Sequence, residues 1–165
     1  MVTLQGDVQF LDVLKQMGCQ VSYNVSVGSY TATGHENRQF SGITADLGSF
    51  SAQTMTLAAL APFAYSKTTI TGISHIKYQE CDRFHAILNE LTRAGITCRE
   101  INDGDGIEIE PGIPRPAEIE TYDDHRMAMA FSLLGLRVDG IIIKNAECCR
   151  KTFETYFDVI EQMYM

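Results

Sequence analysis

The chain has 165 residues, of which 45% are apolar and 21% charged, and its formal net charge at pH 7 is −8. This length and composition predict a single globular domain over residues 1–165 and exclude a disordered chain. The acidic balance excludes the basic surface that binds nucleic acid or an anionic membrane. No apolar run reaches the roughly eighteen residues of a membrane span.

The spacing of apolar residues predicts alternating helices and strands. In chain order, we expect a helix over 10–17, strands over 19–28 and 29–34, a helix over 51–64, a strand over 67–73, a helix over 83–94, a hairpin of 96–101 and 106–112, a helix over 125–136, a strand over 140–145 and a helix over 152–163. Gly18 and Gly95 end the first and third helices. Ser49 or Ser51 is expected to cap the second, which Pro62 kinks or ends.

The order of helix, hairpin, helix and strand occurs more than once, which predicts an internal repeat of roughly 73 residues. FLDVLKQM at 10–17 aligns with YFDVIEQM at 156–163, and LTRAG at 91–95 falls about halfway between them. The alternative is a chance likeness among amphipathic helices. We expect an α/β fold of the α+β type, built from repeated βαβαββ-like units. Helices should lie inside and sheets outside, because 51–64 and 127–136 are apolar nearly all round.

The five cysteines include no CxxC pair and no cysteine–histidine spacing typical of zinc. We therefore expect free thiols and no metal site. Because reduced cysteines are typical of the cytosol and the first residues lack a signal-peptide pattern, we also expect a cytoplasmic protein.

Acidic and basic side chains are concentrated in ETYDDHRMAM at 120–129. Asp123 or Asp124 is expected to cap a helix there. His125 and Arg126 then fall in its first turn, where a positive charge is electrostatically unfavourable. An anionic ligand bound at the helix start would offset that cost. The alternative is a solvated cap with a surface arginine.

Two further segments place cations at predicted helix starts. QECDRF at 79–84 carries Arg83, and CCRKTF at 148–153 carries Lys151. If the repeat brings these helix starts to one rim, Arg83, Arg126 and Lys151 converge on one anion. Arginine suits bidentate binding of carboxylate or phosphate, and lysine supplies a point charge.

The segment TYDDHRMAMAFSLLGL closely resembles the TY-[ND]-DHRMAM segment of the 3-phosphoshikimate 1-carboxyvinyltransferase (EPSP synthase) family. QGDVQFLDVLKQMG, ECDR and KTF support this resemblance in the family's order and spacing, and together they cover essentially the whole chain. The resemblance implies the inverted α/β barrel domain of enolpyruvyl transferases, here incomplete with about two repeats. We expect the chain to be the C-terminal portion of a longer enzyme.

The resemblance also implies a function. The family transfers the enolpyruvyl group of phosphoenolpyruvate to the 5-hydroxyl of shikimate 3-phosphate. The products are 5-enolpyruvylshikimate 3-phosphate and phosphate, on the shikimate pathway to chorismate and aromatic amino acids, and no metal or organic cofactor is used. The family's site residues fall on Glu80 and His125 for catalysis, on Arg83, Arg126 and Lys151 for phosphoenolpyruvate, and on His75, Lys77 and Gln79 for the shikimate 3-phosphate side.

Two departures from the family pattern bear on activity. Ala52 occupies the position of a family carboxylate that contacts the shikimate hydroxyls, and Asp46 is the nearest acid in the sequence. A family lysine is replaced by Gln79. We expect little or no turnover by this chain alone. The alternative function is a noncatalytic anion-binding or scaffold module derived from the family.

Overall fold

The computed structural model describes residues 6–34 and 40–163. The helices are α1 (Phe10–Gln16), α2 (Thr54–Leu60), α3 (Arg83–Arg93), α4 (His125–Gly135), α5 (Arg150–Phe153) and α6 (Tyr156–Gln162). The strands are β1 (Gln20–Asn24), β2 (Ser29–Thr33), β3 (Thr44–Asp46), β4 (Thr68–Thr71), β5 (Cys98–Ile101), β6 (Gly106–Ile109), β7 (Ala117–Ile119) and β8 (Ile141–Ile143). Within the described ranges, every helix is too short or too polar to cross a membrane.

The strands form three sheets. The four-stranded sheet has the order β3-β4-β6-β5, while β1–β2 and β7–β8 each form a two-stranded sheet. Strands β3 and β4 are parallel and are joined through α2, and β7 and β8 are likewise parallel and joined through α4. The hairpin β5–β6 adds to β4 in the antiparallel direction, with Ile70 opposite Ile107. Mixed helix and sheet in this order is the expected α/β fold.

The core lies where α2 and α4 pack against each other. Met55, Leu57 and Ala58 of α2 are fully buried, as are Met127 and Phe131 of α4. Small alanine side chains on both helices allow their backbones to approach closely. Because burial of apolar area contributes roughly 25 cal/mol per Å², this helix pair is a major source of stability. It also fixes the relative position of the two helix starts that carry Ala52 and Arg126.

Two local predictions are wrong. The last segment is two short helices, α5 and α6, because the backbone of Thr155 leaves the helical region between them at φ −96° and ψ 19°. Neither Ser49 nor Ser51 caps the second helix, which begins in a 3₁₀ turn without a side-chain cap. The Ser51 hydroxyl is hydrogen-bonded to His75 Nε2 at 2.7 Å, and Ser49 Oγ donates to Gln9 Oε1 at 3.2 Å.

Candidate functional site

The start of α4 is built by a side-chain cap and an unusual turn. Asp124, which is fully buried, caps the helix by accepting a hydrogen bond from the Arg126 backbone N–H at 2.8 Å. Just before it, Tyr122 and Asp123 adopt left-handed backbone angles, with φ of 54° and 57°. Such angles cost a non-glycine residue on the order of 1–3 kcal/mol and are concentrated at functional sites. The hydrogen bond from the Arg126 backbone N–H identifies Asp124, rather than Asp123, as the cap of α4.

Arg83, at the start of α3, is held by the protein's own acids. Its Nε donates to Asp124 Oδ2 at 2.7 Å and its Nη2 to Asp124 Oδ1 at 3.3 Å. Nη2 also pairs with Glu80 Oε2 at 2.7 Å, and Nη1 donates to Gln79 Oε1. Among the described residues, four of the five N–H groups of this guanidinium thus have an acceptor, and the second N–H on Nη1 has none. The structure therefore assembles Glu80, Arg83, Asp124 and its neighbour His125 into one cluster.

Burial and charge set the protonation of this cluster. Burial by itself raises the pKa of Asp124, but hydrogen bonds from Arg83 and from the Arg126 backbone outweigh it and hold the pKa below its ordinary value. Burial lowers the pKa of His125 below 6.5, and the charge of Asp124 opposes this only in part. Burial and the nearby Asp124 raise the pKa of Cys81 to about 12. Near neutral pH the cluster therefore holds an ionised aspartate, a neutral imidazole and a neutral thiol.

Arg126 faces a cavity of its own. The cavity measures about 210 Å³, and its lining includes Ala52, Gln53, Arg126 and Tyr156. Arg126 is half-buried and forms no ion pair with any residue in the described ranges. Because a positive charge near a helix start favours an anion, this side chain is available to a negatively charged ligand.

Ala52 also lines a second cavity, of about 370 Å³, together with Asp7, Ser49 and Gln79. Among the described residues that line this cavity, Asp7 is the one carboxylate, and it was not among the predicted site residues. Asp46, the acid nearest to Ala52 in the sequence, is instead hydrogen-bonded to the Gly48 backbone N–H at 2.8 Å. Asp46 lines a separate cavity beside α1. Asp7 and Ala52 are far apart in the sequence and only the fold places them at one cavity, so no local sequence pattern identifies Asp7.

The remaining predicted residues lie around this region. His75 reaches Ser51, next to Ala52, through the hydrogen bond described above. The ammonium group of Lys77 lies 4.4 Å from the centre of the Phe84 ring, a cation–π contact.

Lys151 lies exposed within α5, rather than ahead of a helix, and lines neither cavity beside Ala52. Its convergence with Arg83 and Arg126 therefore stays a prediction. Among the described residues, no group of three His, Cys, Asp or Glu side chains is placed to hold a metal ion.

Sequence comparisons connect this arrangement with known proteins. The family model for EPSP synthase (3-phosphoshikimate 1-carboxyvinyltransferase) matches residues 1–160. A 3-phosphoshikimate 1-carboxyvinyltransferase of Nostoc punctiforme is 47% identical over 159 residues, which cover 96% of this chain and 36% of the relative. A chloroplastic enzyme of the same name from Brassica napus is 41% identical, covering 98% of this chain and 32% of the relative. The chain thus spans about a third of the length of these curated relatives.

Solved structures give the same relationship. EPSP synthase from Acinetobacter baumannii matches with a TM-score of 0.78 and 29% identity, covering 92% of this chain and 38% of that one. The enolpyruvyl transferase NikO from Streptomyces tendae matches with a TM-score of 0.69 and 21% identity, covering 95% of this chain and 34% of that one. At this lower identity, the likeness to NikO concerns the fold alone.

Proposed function

The chain belongs to the EPSP synthase family, and we propose that it carries the phosphoenolpyruvate-binding part of an enolpyruvyl transferase site. The reaction is transfer of the enolpyruvyl group from phosphoenolpyruvate to the 5-hydroxyl of shikimate 3-phosphate. The observation that carries the proposal is Arg126. It stands at a helix start and lines a cavity, without an ion-pair partner in the part of the chain that the structure describes.

The chemistry requires fixed positive charge and an acid close together. Phosphoenolpyruvate carries a carboxylate and a phosphate on one carbon, and Arg126 and Lys151 supply cations for them. Arg83 offers its remaining N–H to the same anion, and its pairing with Asp124 and Glu80 holds it in place. Cations held in advance stabilise negative charge without reorganising during the reaction.

Proton transfer is assigned to Glu80, with His125 beside the same cluster. Glu80 is half-exposed and therefore accessible to a ligand or to water. Protonation of the enol methylene creates a cationic centre to which the 5-hydroxyl oxygen adds, as that hydroxyl loses its proton. The resulting tetrahedral intermediate then loses phosphate together with a proton from the newly formed methyl group, which restores the enol double bond. His75, Lys77 and Gln79 are assigned to the shikimate 3-phosphate side.

Ala52 favours a second candidate function. A methyl group stands where the family has a carboxylate, so the acceptor for the 5-hydroxyl proton is absent from that position. Asp7 and Gln79 share a cavity with Ala52, but Asp46 does not. A module that binds phosphoenolpyruvate without turning it over fits the same cluster and the same Arg126.

In either case we place the protein in the cytoplasm, because the described cysteines are all free thiols.

Titration calorimetry with phosphoenolpyruvate tests the site. We expect wild-type protein to bind at millimolar concentrations or below, on the order of the weaker specific ligands. Arg126→Ala should abolish this binding. The matched control is Arg99→Ala, which removes an exposed arginine paired with Glu108 on the four-stranded sheet. Equal affinity of the Arg126→Ala and wild-type proteins would refute the assigned site.

An assay of phosphate release tests whether this chain by itself turns over phosphoenolpyruvate. Phosphoenolpyruvate and shikimate 3-phosphate are supplied together, and free phosphate is followed over time. We expect the chain alone to release little or no phosphate. Robust release abolished by Glu80→Gln would establish the transferase and rule out the module. Binding without release is the result expected of this chain alone under either candidate, and absence of phosphoenolpyruvate binding would contradict both.

A further inference from the structure

Glu90 of α3 is a fully buried carboxylate that the chemistry above does not use. It accepts three hydrogen bonds, from the Tyr122 hydroxyl at 2.7 Å, the Glu120 backbone N–H at 3.0 Å and Arg93 Nε at 2.9 Å. Two of these donors belong to the turn between β7 and α4. A buried charge is retained only where such partners compensate its loss of water. Glu90 therefore connects α3 directly to the turn that precedes α4.

That turn needs to be held from outside. Tyr122 and Asp123 are consecutive non-glycine residues with positive φ, a conformation that the chain does not adopt by local preference. Asn145 Nδ2, from the segment that follows β8, donates to Asp123 Oδ1 at 3.1 Å. Both Glu90 and Asn145 thus hold the turn through hydrogen bonds.

The position of the turn decides the position of Asp124. One carboxylate oxygen of Asp124 accepts from the Arg126 backbone, and the other accepts from Arg83 Nε. A shift of the turn would move this carboxylate away from Arg83 and loosen the first turn of α4. A continuous series of contacts therefore runs from Glu90 through Tyr122 and Asp124 to both arginines.

We propose that Glu90 is a positioning residue for the anion-binding site formed by Arg83 and Arg126. It holds the Tyr122–Asp123 turn so that Asp124 orients Arg83 and fixes the start of α4. The identity of the anion as phosphoenolpyruvate rests on the function proposed above. The positioning itself rests only on the contacts of Glu90, Tyr122 and Asp124.

The substitution Glu90→Gln tests this role, since it preserves the shape of the side chain and removes its charge. An amide has one acceptor oxygen, so it cannot serve all three donors. We expect phosphoenolpyruvate to bind about tenfold more weakly, because hydrogen bonds to charged groups are among the stronger ones. We also expect the Arg126 backbone amide to exchange its hydrogen at least about tenfold faster, because its bond to Asp124 opens more often.

Two further variants separate positioning from general stability. Ile107→Val removes a buried methyl group from β6, on the four-stranded sheet, and should lower stability without changing Arg126 amide exchange or phosphoenolpyruvate affinity. Tyr122→Phe removes only the hydroxyl that donates to Glu90. It should change both measurements in the same direction as Glu90→Gln, but less, and it carries the test if Glu90→Gln does not fold.

The exchange measurement decides the inference independently of the ligand. Wild-type Arg126 amide protection in Glu90→Gln, or in Tyr122→Phe if that is the variant that folds, would overturn it. Equal acceleration in Ile107→Val would overturn it as well. If wild-type protein does not bind phosphoenolpyruvate, the proposed function fails, while amide exchange still tests the positioning role.

Discussion

Replacing Asp124 by asparagine should destabilise the protein strongly, because it breaks a buried ion pair. Arg83 and Asp124 are 2% and 0% exposed, and the Nε–Oδ2 distance between them is 2.7 Å. Removing one partner of a buried pair costs about 3–5 kcal/mol, since the remaining charge is left without compensation. Here Glu80 still pairs with Arg83. We therefore expect about 3 kcal/mol, the lower end of that range.

Asparagine is the informative substitution because it still caps α4. Asn and Asp are similarly good N-caps, so the Arg126 backbone N–H keeps its acceptor and the loss reports the ion pair. Urea unfolding followed by circular dichroism gives the free energy of unfolding, provided that the slope with urea concentration is unchanged.

The matched control is Glu120→Gln. It removes the exposed pair with Lys144, which is 2.6 Å long, and should cost less than about 1 kcal/mol because solvent screens such pairs. If Asp124→Asn lowers the free energy of unfolding by less than about 1 kcal/mol, the buried pair does not contribute to stability as its geometry indicates.

Three further outcomes are expected. Because the pKa of His125 lies below 6.5 in the folded protein, the unfolded chain takes up a proton first, and the free energy of unfolding should decrease as the pH falls below 6.5. Urea titrations at about pH 7.5 and about pH 5.5 should show a smaller decrease for His125→Asn, and an unchanged one would contradict the assignment. Phe131→Ala should lower the free energy of unfolding by about 3–5 kcal/mol, measured in the same way, because Phe131 is fully buried between helices. At pH 8, Cys81 and Cys149 should react with iodoacetamide far more slowly than a free cysteine, as measured by peptide mapping. The reason is that a pKa of about 12 leaves about one thiol in ten thousand as thiolate. Reaction rates equal to that of a free cysteine would argue against their burial.

Local patterns predicted most of the secondary structure. The 3.6-residue spacing of apolar side chains identified α1, α3 and α4, and an Asn-Asp-Gly turn identified the β5–β6 hairpin. Strands β3 and β7 were missed because each is three residues long with an acidic residue and at most one large apolar side chain, whereas the equally short β8 is a run of three isoleucines. The break between α5 and α6 was missed because the apolar spacing continues across Thr155.

The candidate site was predicted in part. Their place at helix starts singled out Arg83 and Arg126, with His125 beside them, and the resemblance to the family added Glu80. The sequence did not identify Glu90, whose place on an amphipathic helix is typical of a solvated residue. It also selected Asp46 as the acid nearest to Ala52 in the sequence. In the structure, Asp46 accepts a hydrogen bond from the Gly48 backbone N–H, and Asp7 lines the larger cavity beside Ala52.

The sequence by itself determined the family, the residue types at the helix starts and the alanine at position 52, since each of these is a property of a short stretch of chain. Only the tertiary structure decided which charges neutralise one another. Arg83 and Asp124 are forty-one positions apart, and their pairing depends on how α3 and α4 pack. Charge interactions depend on distance and burial, and both are set by that packing. The same packing compensates Arg83 and leaves Arg126 available to an anion.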